Sequence, residues 1–154
     1  MKKFDPFAVA LRLLTARERS GRELAERLRQ KGFDDAACDE TVARCRSLGY
    51  LDDARFARGR ARQLLESGRA VGRHLLLDLQ QHGISESLAR EILSELEQEQ
   101  SPRQVLENLL QRRFPGFDYD RADDRERRRV INFFLRRGFD LALVLDRIKG
   151  RVLD

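Results

Sequence analysis

Apolar positions in this chain repeat in register with three glycines. The segments LRQKGFD (28–34), LQQHGIS (79–85) and FLRRGFD (134–140) share one layout, in which Phe33, Ile84 and Phe139 follow Gly32, Gly83 and Gly138. Five residues beyond each glycine stand Ala37, Leu88 and Leu143, and ten beyond stand Val42, Leu93 and Ile148. Each segment predicts a helix end, because glycine suits the left-handed C′ position and the next apolar residue the contact of a Schellman motif. Asp34, Ser85 and Asp140 then stand where the following helix needs a cap. Further starts are marked by Asp5 with Pro6, by Ser20 with Glu23, and by Ser101 with Pro102 and Gln104. Start and stop signals fall about 11 to 17 residues apart along most of the chain. No run of alternating β-branched and polar residues competes with them, so the pattern predicts an all-α protein.

The glycines lie 51 and 55 residues apart, a period that holds three short helices. Three tandem three-helix repeats are therefore expected, at residues 5–49, 50–99 and 100–154. A three-helix unit of about 50 residues sits at the lower edge of independent stability. Neighbouring repeats are expected to lean on one another in an elongated, curved array. The longest irregular stretch is RRFPGFDYDRADD (112–124).

Two basic helix faces stand out from this scaffold. In GYLDDARFARGRAR (49–62), Gly49 and Tyr50 end one helix, Asp52 is placed to cap the next, and Asp53 falls in its first turn. Carboxylates there contribute about 0.5 to 1 kcal/mol through the helix dipole, and Leu51 is placed to staple onto Phe56. Arg55, Arg58 and Arg62 then share one face at i, i+3 and i+7. In RERRR (125–129), Arg125, Arg128 and Arg129 take one side of a helix while Val130, Phe133 and Phe134 take the other.

Composition narrows the function classes. Of 154 residues, 37% are charged and 41% hydrophobic, which fits a folded soluble protein better than a disordered tail. The net charge of +5, with arginine used far more than lysine, points to polyanions or acidic protein surfaces as partners. The basic excess lies toward both ends, and the middle third is slightly acidic. No stretch approaches a membrane span, and Asp5, Pro6 and Arg12 interrupt any leader-like start, so a cytoplasmic protein is expected. Cys38 and Cys45, seven apart on one expected helix, stand too far apart for a disulfide.

No constellation for catalysis emerges. The pairs Asp34/Asp35, Asp52/Asp53 and Asp123/Asp124 each begin a helix, where capping accounts for them. Two cysteines with His74 and His82 lack the spacing of a zinc site, and GRAVGR (68–73) lacks the residues of a triphosphate loop. We expect no catalytic residue, no metal and no cofactor. Phe114, Phe117 and Tyr119, flanked by Arg112, Arg113 and Arg121, have the composition of a base-stacking platform, although three aromatics between helices more often fill a core.

The order of motifs carries a resemblance. ALRLLTARERSGRELAERLRQKGF (10–33), GYLDDARFARGRA (49–61) and LLLDLQQHGI (75–84) together resemble the RecX family of regulators of the RecA recombinase. The likeness covers essentially the whole chain and is strongest over residues 8–84. The third repeat matches mainly in length and in FLRRGF. His82 stands where a lysine is expected, and residues 114–124 have no match. The resemblance implies tandem three-helix repeats and a non-catalytic protein that binds RecA filaments in recombination and DNA repair. It implies suppression of strand exchange, ATP hydrolysis and coprotease activity. On that footing Arg55, Arg58, Arg62, Arg69 and Arg73 are expected to face the filament groove, with Arg125, Arg128 and Arg129 contributing from the far end. The chain is expected to act as a monomer that meets DNA weakly or within the filament. The rival reading is a stand-alone helical DNA-binding protein, against which the acidic segment SESLAREILSELEQEQ (85–100) argues.

Overall fold

Local capping chemistry sets most helix boundaries. A computed structural model of the chain describes residues 5–150. Among these residues there are nine α-helices and no strand: α1 (Pro6–Ala16), α2 (Gly21–Gln30), α3 (Asp35–Ser47), α4 (Asp53–Ser67), α5 (Gly72–Gln81), α6 (Glu86–Glu99), α7 (Pro102–Arg113), α8 (Asp124–Leu135) and α9 (Leu141–Ile148). Asp5 accepts the Phe7 amide at 3.0 Å with Pro6 as the first helical residue. Asp34, Asp52 and Asp123 accept the amides of Ala37, Arg55 and Glu126 at 2.8, 3.1 and 2.8 Å. Ser101 and Gln104 close a full capping box.

Two caps differ from expectation. Ser20 accepts the Glu23 amide at 3.1 Å, but Glu23 does not reach back to complete a box; its Oε2 binds Arg17 at 2.8 Å, leaving Oε1 buried without a partner among the described residues. A guanidinium outcompetes a backbone amide for a carboxylate. Asp140 occupies the N-cap position of α9 with extended backbone but makes no side-chain cap bond. Asp140, Leu141 and Ala142 are exposed, which leaves the first amides of α9 open to solvent.

The three expected glycine stops share one geometry. Gly32, Gly83 and Gly138 have φ of 99°, 91° and 102°. Their amides bond Arg29, Gln80 and Leu135 carbonyls at 2.9, 3.0 and 3.1 Å, and the amides of Phe33, Ile84 and Phe139 bond Leu28, Leu79 and Phe134 at 3.2, 3.0 and 3.3 Å. These are complete Schellman pairs. Val42, Leu93 and Ile148 are buried, and Ala37, Leu88 and Leu143 half-buried, so the packing faces recur with the stops. The architecture is all-α and built as a helical repeat.

By packing, the chain divides into two units: Met1–Arg60 with Leu79–Ala89, and Ala61–Asp78 with Arg90–Asp154. Helices α4, α5 and α6 each contribute to both. In the first unit α1, α2 and α3 enclose Val9, Ala10, Leu24, Leu28, Val42 and the two cysteines, with Leu51 closing the core. Arg19, itself buried, donates to the Leu13 carbonyl at the end of α1 at 3.2 Å. Asp53 does more than serve its own helix dipole, because its carboxylate accepts the Gly21 amide at 2.7 Å and Arg46 at 3.1 Å, tying α4 to the start of α2. The core of the second unit includes Phe133, Phe134 and Phe139, with edge-on ring pairs at 5.2 and 5.4 Å.

One joint is used in each unit. In the first, the start of α2 meets the end of α5: Ser20 donates to the His82 carbonyl, Arg22 donates to the Gln81 carbonyl, and a Cβ at Gly83 would come within 2.6 Å of Arg22 Cβ. In the second, the start of α5 meets the end of α8: the Val71 amide donates to the Arg137 carbonyl at 2.8 Å, and a Cβ at Gly138 would collide with the Val71 carbonyl oxygen. Gly83 and Gly138 thus supply both a left-handed turn and room for a neighbouring element.

Candidate arginine-rich interface

The eight arginines singled out from the sequence are all exposed, and they are held differently. Arg55 is thoroughly engaged: its Nε donates to Glu18 at 2.7 Å, and its terminal nitrogens reach the Gly49 and Tyr50 carbonyls at 3.4 and 3.3 Å. It braces the turn between α3 and α4. Arg58 follows on the solvent side of the same helix. Arg62 pairs with Glu99 at 3.4 Å and lines a cleft of about 710 Å³ with Glu66, Arg103 and Glu107, where charges of both signs alternate. Arg73, at the start of α5, has no ion pair among the described residues.

On α8 the expected division of faces is present. Val130, Phe133 and Phe134 are buried, while Arg125, Arg128 and Arg129 are exposed. Arg128 donates to the Asp124 carbonyl at 3.3 Å, and the Arg129 guanidinium stands 5.9 Å from the Phe114 ring. Phe114 packs edge-on against Phe133 at 5.0 Å, and Arg127 covers Tyr119 at 4.2 Å. These contacts tie both rings, each half-buried, to the protein.

A different grouping surrounds Arg69. Arg69, Arg112, Arg113 and Arg137 line a cavity of about 290 Å³ with Ser67 and Phe133. Arg69 Nε donates to Ser67 Oγ at 3.2 Å, Arg112 to the Glu66 carbonyl at 3.5 Å, and Arg137 to the Phe133 carbonyl at 2.8 Å. Arg137 lies 3.5 Å and Arg113 5.3 Å from the centre of the Phe133 ring. Every one of these bonds is to a neutral acceptor, and none of the four arginines pairs with a carboxylate among the described residues. Burial, followed by the charges of Arg113 and Arg136, holds Arg137 below its ordinary value. Sequence spacing did not single out this group. Arg112 and Arg113 stand out in the sequence only beside the aromatic stretch, and Arg137 only as part of the FLRRGFD stop.

The leading aspartate of each acidic pair is committed to a backbone amide, and no cluster of three or more potential metal ligands occurs among the described residues. Cys38 and Cys45 are free and fully buried, and burial raises both thiols, which disfavours the reactive thiolate. Among the described residues no helix is long and apolar enough to cross a membrane.

Comparison with known proteins gives a consistent result. The family model described as "RecX, first three-helix domain" matches residues 7–45. Regulatory protein RecX of Syntrophotalea carbinolica is 52% identical over 140 residues, covering 91% of this chain and 92% of that protein. Regulatory protein RecX of Trichlorobacter lovleyi is 33% identical over 140 residues, covering 91% of each. The crystal structure of RecX from Lactobacillus salivarius shares the fold with a TM-score of 0.70 at 18% identity, over 93% of this chain and 94% of that one.

Proposed function

Because the chain belongs to the RecX family, a family of non-catalytic regulators, we propose that it binds filaments of the RecA recombinase on DNA and restrains their strand exchange, ATP hydrolysis and coprotease activity. The likeness to regulatory proteins along nine-tenths of the chain is the observation that carries this reading. Exposed arginine faces on a helical repeat supply a physical means. The regulator works as a cytoplasmic monomer whose repeats are bounded near 5–49, 50–99 and 100–154. Its filament-facing residues are Arg55, Arg58, Arg62, Arg69 and Arg73, with Arg125, Arg128 and Arg129 from the third repeat. Bound in the filament groove, it obstructs an incoming duplex or the addition of subunits at a growing end. DNA is met weakly or only inside the filament. A stand-alone DNA reader is the less favoured alternative, since α6 carries Glu86, Glu91, Glu95, Glu97 and Glu99 against Arg90 and would be repelled by phosphates.

The test is RecA-driven ATP hydrolysis on single-stranded DNA with increasing amounts of this protein. A strong loss well below one-to-one supports regulation by end capping, and a loss that needs near-stoichiometric protein supports action within the filament. An unchanged rate at every ratio overturns the proposal. Replacing Arg58 and Arg62 by alanine weakens filament binding without loss of helicity if these residues face the filament. Equal affinity of that variant removes the assignment of the site. Binding to naked DNA as tight as to RecA-coated DNA at about 0.15 M salt returns the stand-alone reading.

A further inference from the structure

We propose that the cavity formed by Arg69, Arg112, Arg113 and Arg137 is a binding pocket for a phosphate group. It extends the reading above by giving the polyanion contact a defined place, and only Arg69 is common to both.

The cavity is assembled from elements far apart in sequence. Arg69 comes from the turn after α4, Arg112 and Arg113 from the last turn of α7, and Arg137 from just beyond α8. Arginines at helix ends are ordinarily explained by the carbonyl partial charge there, and three helices do end at this cavity. Each C-terminus presents about half a negative charge, together about −1.5, against four guanidiniums. An excess of roughly two and a half positive charges is left, and no carboxylate among the described residues neutralises it.

The donors are also held in place before any ligand arrives. Ser67 Oγ fixes Arg69 through its Nε, leaving both terminal nitrogens available. The Glu66 and Phe133 carbonyls each take one terminal nitrogen, from Arg112 and Arg137 respectively. The Phe133 ring packs against both the Arg113 and the Arg137 guanidinium. Guanidiniums oriented by neutral acceptors keep full charge and several free N–H groups, which suits a tetrahedral oxyanion. Arg62 and Arg147 show the contrast, each answered by a glutamate of its own. Phosphate can reach the pocket from the backbone of a nucleic acid strand or as a free anion, and the chemistry of capture is the same.

The full chain is titrated against a labelled oligothymidylate, and separately melted in the presence of inorganic pyrophosphate. Wild type is compared with Arg113→Gln/Arg137→Gln and with Arg27→Gln/Arg29→Gln, a control that removes the same charge from exposed positions of α2. If the pocket takes backbone phosphate, the first variant loses about tenfold in oligonucleotide affinity while the control keeps it within about threefold. The slope of log affinity against log salt also becomes shallower by about 0.7, the value for one phosphate on a single strand. If the pocket takes free phosphate, pyrophosphate raises the melting temperature of wild type and control but not of the first variant, with oligonucleotide binding unaltered. Either result supports a phosphate pocket and names its source. Equal behaviour of all three proteins in both measurements overturns it, as does equal loss in variant and control. Arg113→Gln alone, at an exposed residue, serves if the double variant melts abnormally. No recombinase is present, so this outcome is independent of whether the chain binds RecA filaments.

Discussion

Alanine at Gly138 and at Gly32 makes the same chemical change at the same position of the same motif, yet the structure separates their costs. Both residues have φ near 100°, and an L-residue held in the left-handed region costs about 1–2 kcal/mol. Restricting the unfolded chain returns about 0.4–1 kcal/mol, so Gly32→Ala, which meets nothing within 4 Å, loses about 1 kcal/mol net. At Gly138 the new methyl overlaps the Val71 carbonyl oxygen and lies 3.1 Å from His74 Cβ. A backbone oxygen cannot rotate away, so the turn before α5 must shift. The Val71–Arg137 hydrogen bond, worth about 0.5–1.5 kcal/mol, is lost along with packing worth about another 1 kcal/mol or more. The total for Gly138→Ala is about 3 kcal/mol. Urea denaturation followed by far-UV circular dichroism reads both values, and thermal melting should fall by about 3 °C for one and about 9 °C for the other. Equal losses at the two sites would refute the claim that Gly138 serves a tertiary joint as well as a turn.

Three further outcomes follow from the caps, the thiols and one ion pair. Ser101→Ala should cost about 1 kcal/mol in urea denaturation, whereas Asp140→Ala, which removes no cap bond, should stay within about 0.5 kcal/mol; comparable losses would contradict the difference seen between these two helix starts. Cys38 and Cys45 should react with a thiol reagent at mildly alkaline pH only as fast as the protein opens, and burst labelling of the native state would oppose their burial. The Arg147 guanidinium, 2.6 Å from Glu107, holds that carboxyl below its ordinary value, so its contribution to stability is present above about pH 4.3 and is lost as pH falls through the lower folded-state value. Glu107→Gln should flatten stability against pH in that acid range, and a profile identical to wild type would remove the pair from the account.

What could be read in advance was what the chain encodes locally. A Schellman stop depends on a glycine and on the residues of the turn it closes, so Gly32, Gly83 and Gly138 announced themselves, as did the caps Asp5, Asp34, Asp52 and Asp123. Ser20 and Asp53 show where local reading stops. Each sits where its helix needs it, and each also bonds a segment that sequence spacing does not bring near, Ser20 to His82 and Asp53 to Gly21. The exposed arginines follow the same rule. The solvent side of α8 was legible because a helical period places Arg125, Arg128 and Arg129 together. The cavity around Phe133 was hidden because its arginines come from three elements, and an arginine beside a helix stop, such as Arg137, is explained by that stop until packing is known.

The joint between the start of one helix and the end of another occurs twice, and α5 takes a different part in each. Its beginning rests on α8, and its end receives α2. One ten-residue helix therefore carries the accepting side of one joint, at the Gln81 and His82 carbonyls, and the donating side of the other, at the Val71 amide. A single deletion inside α5 would turn one of its ends by about 100° relative to the other, so only one of the two joints could keep its register.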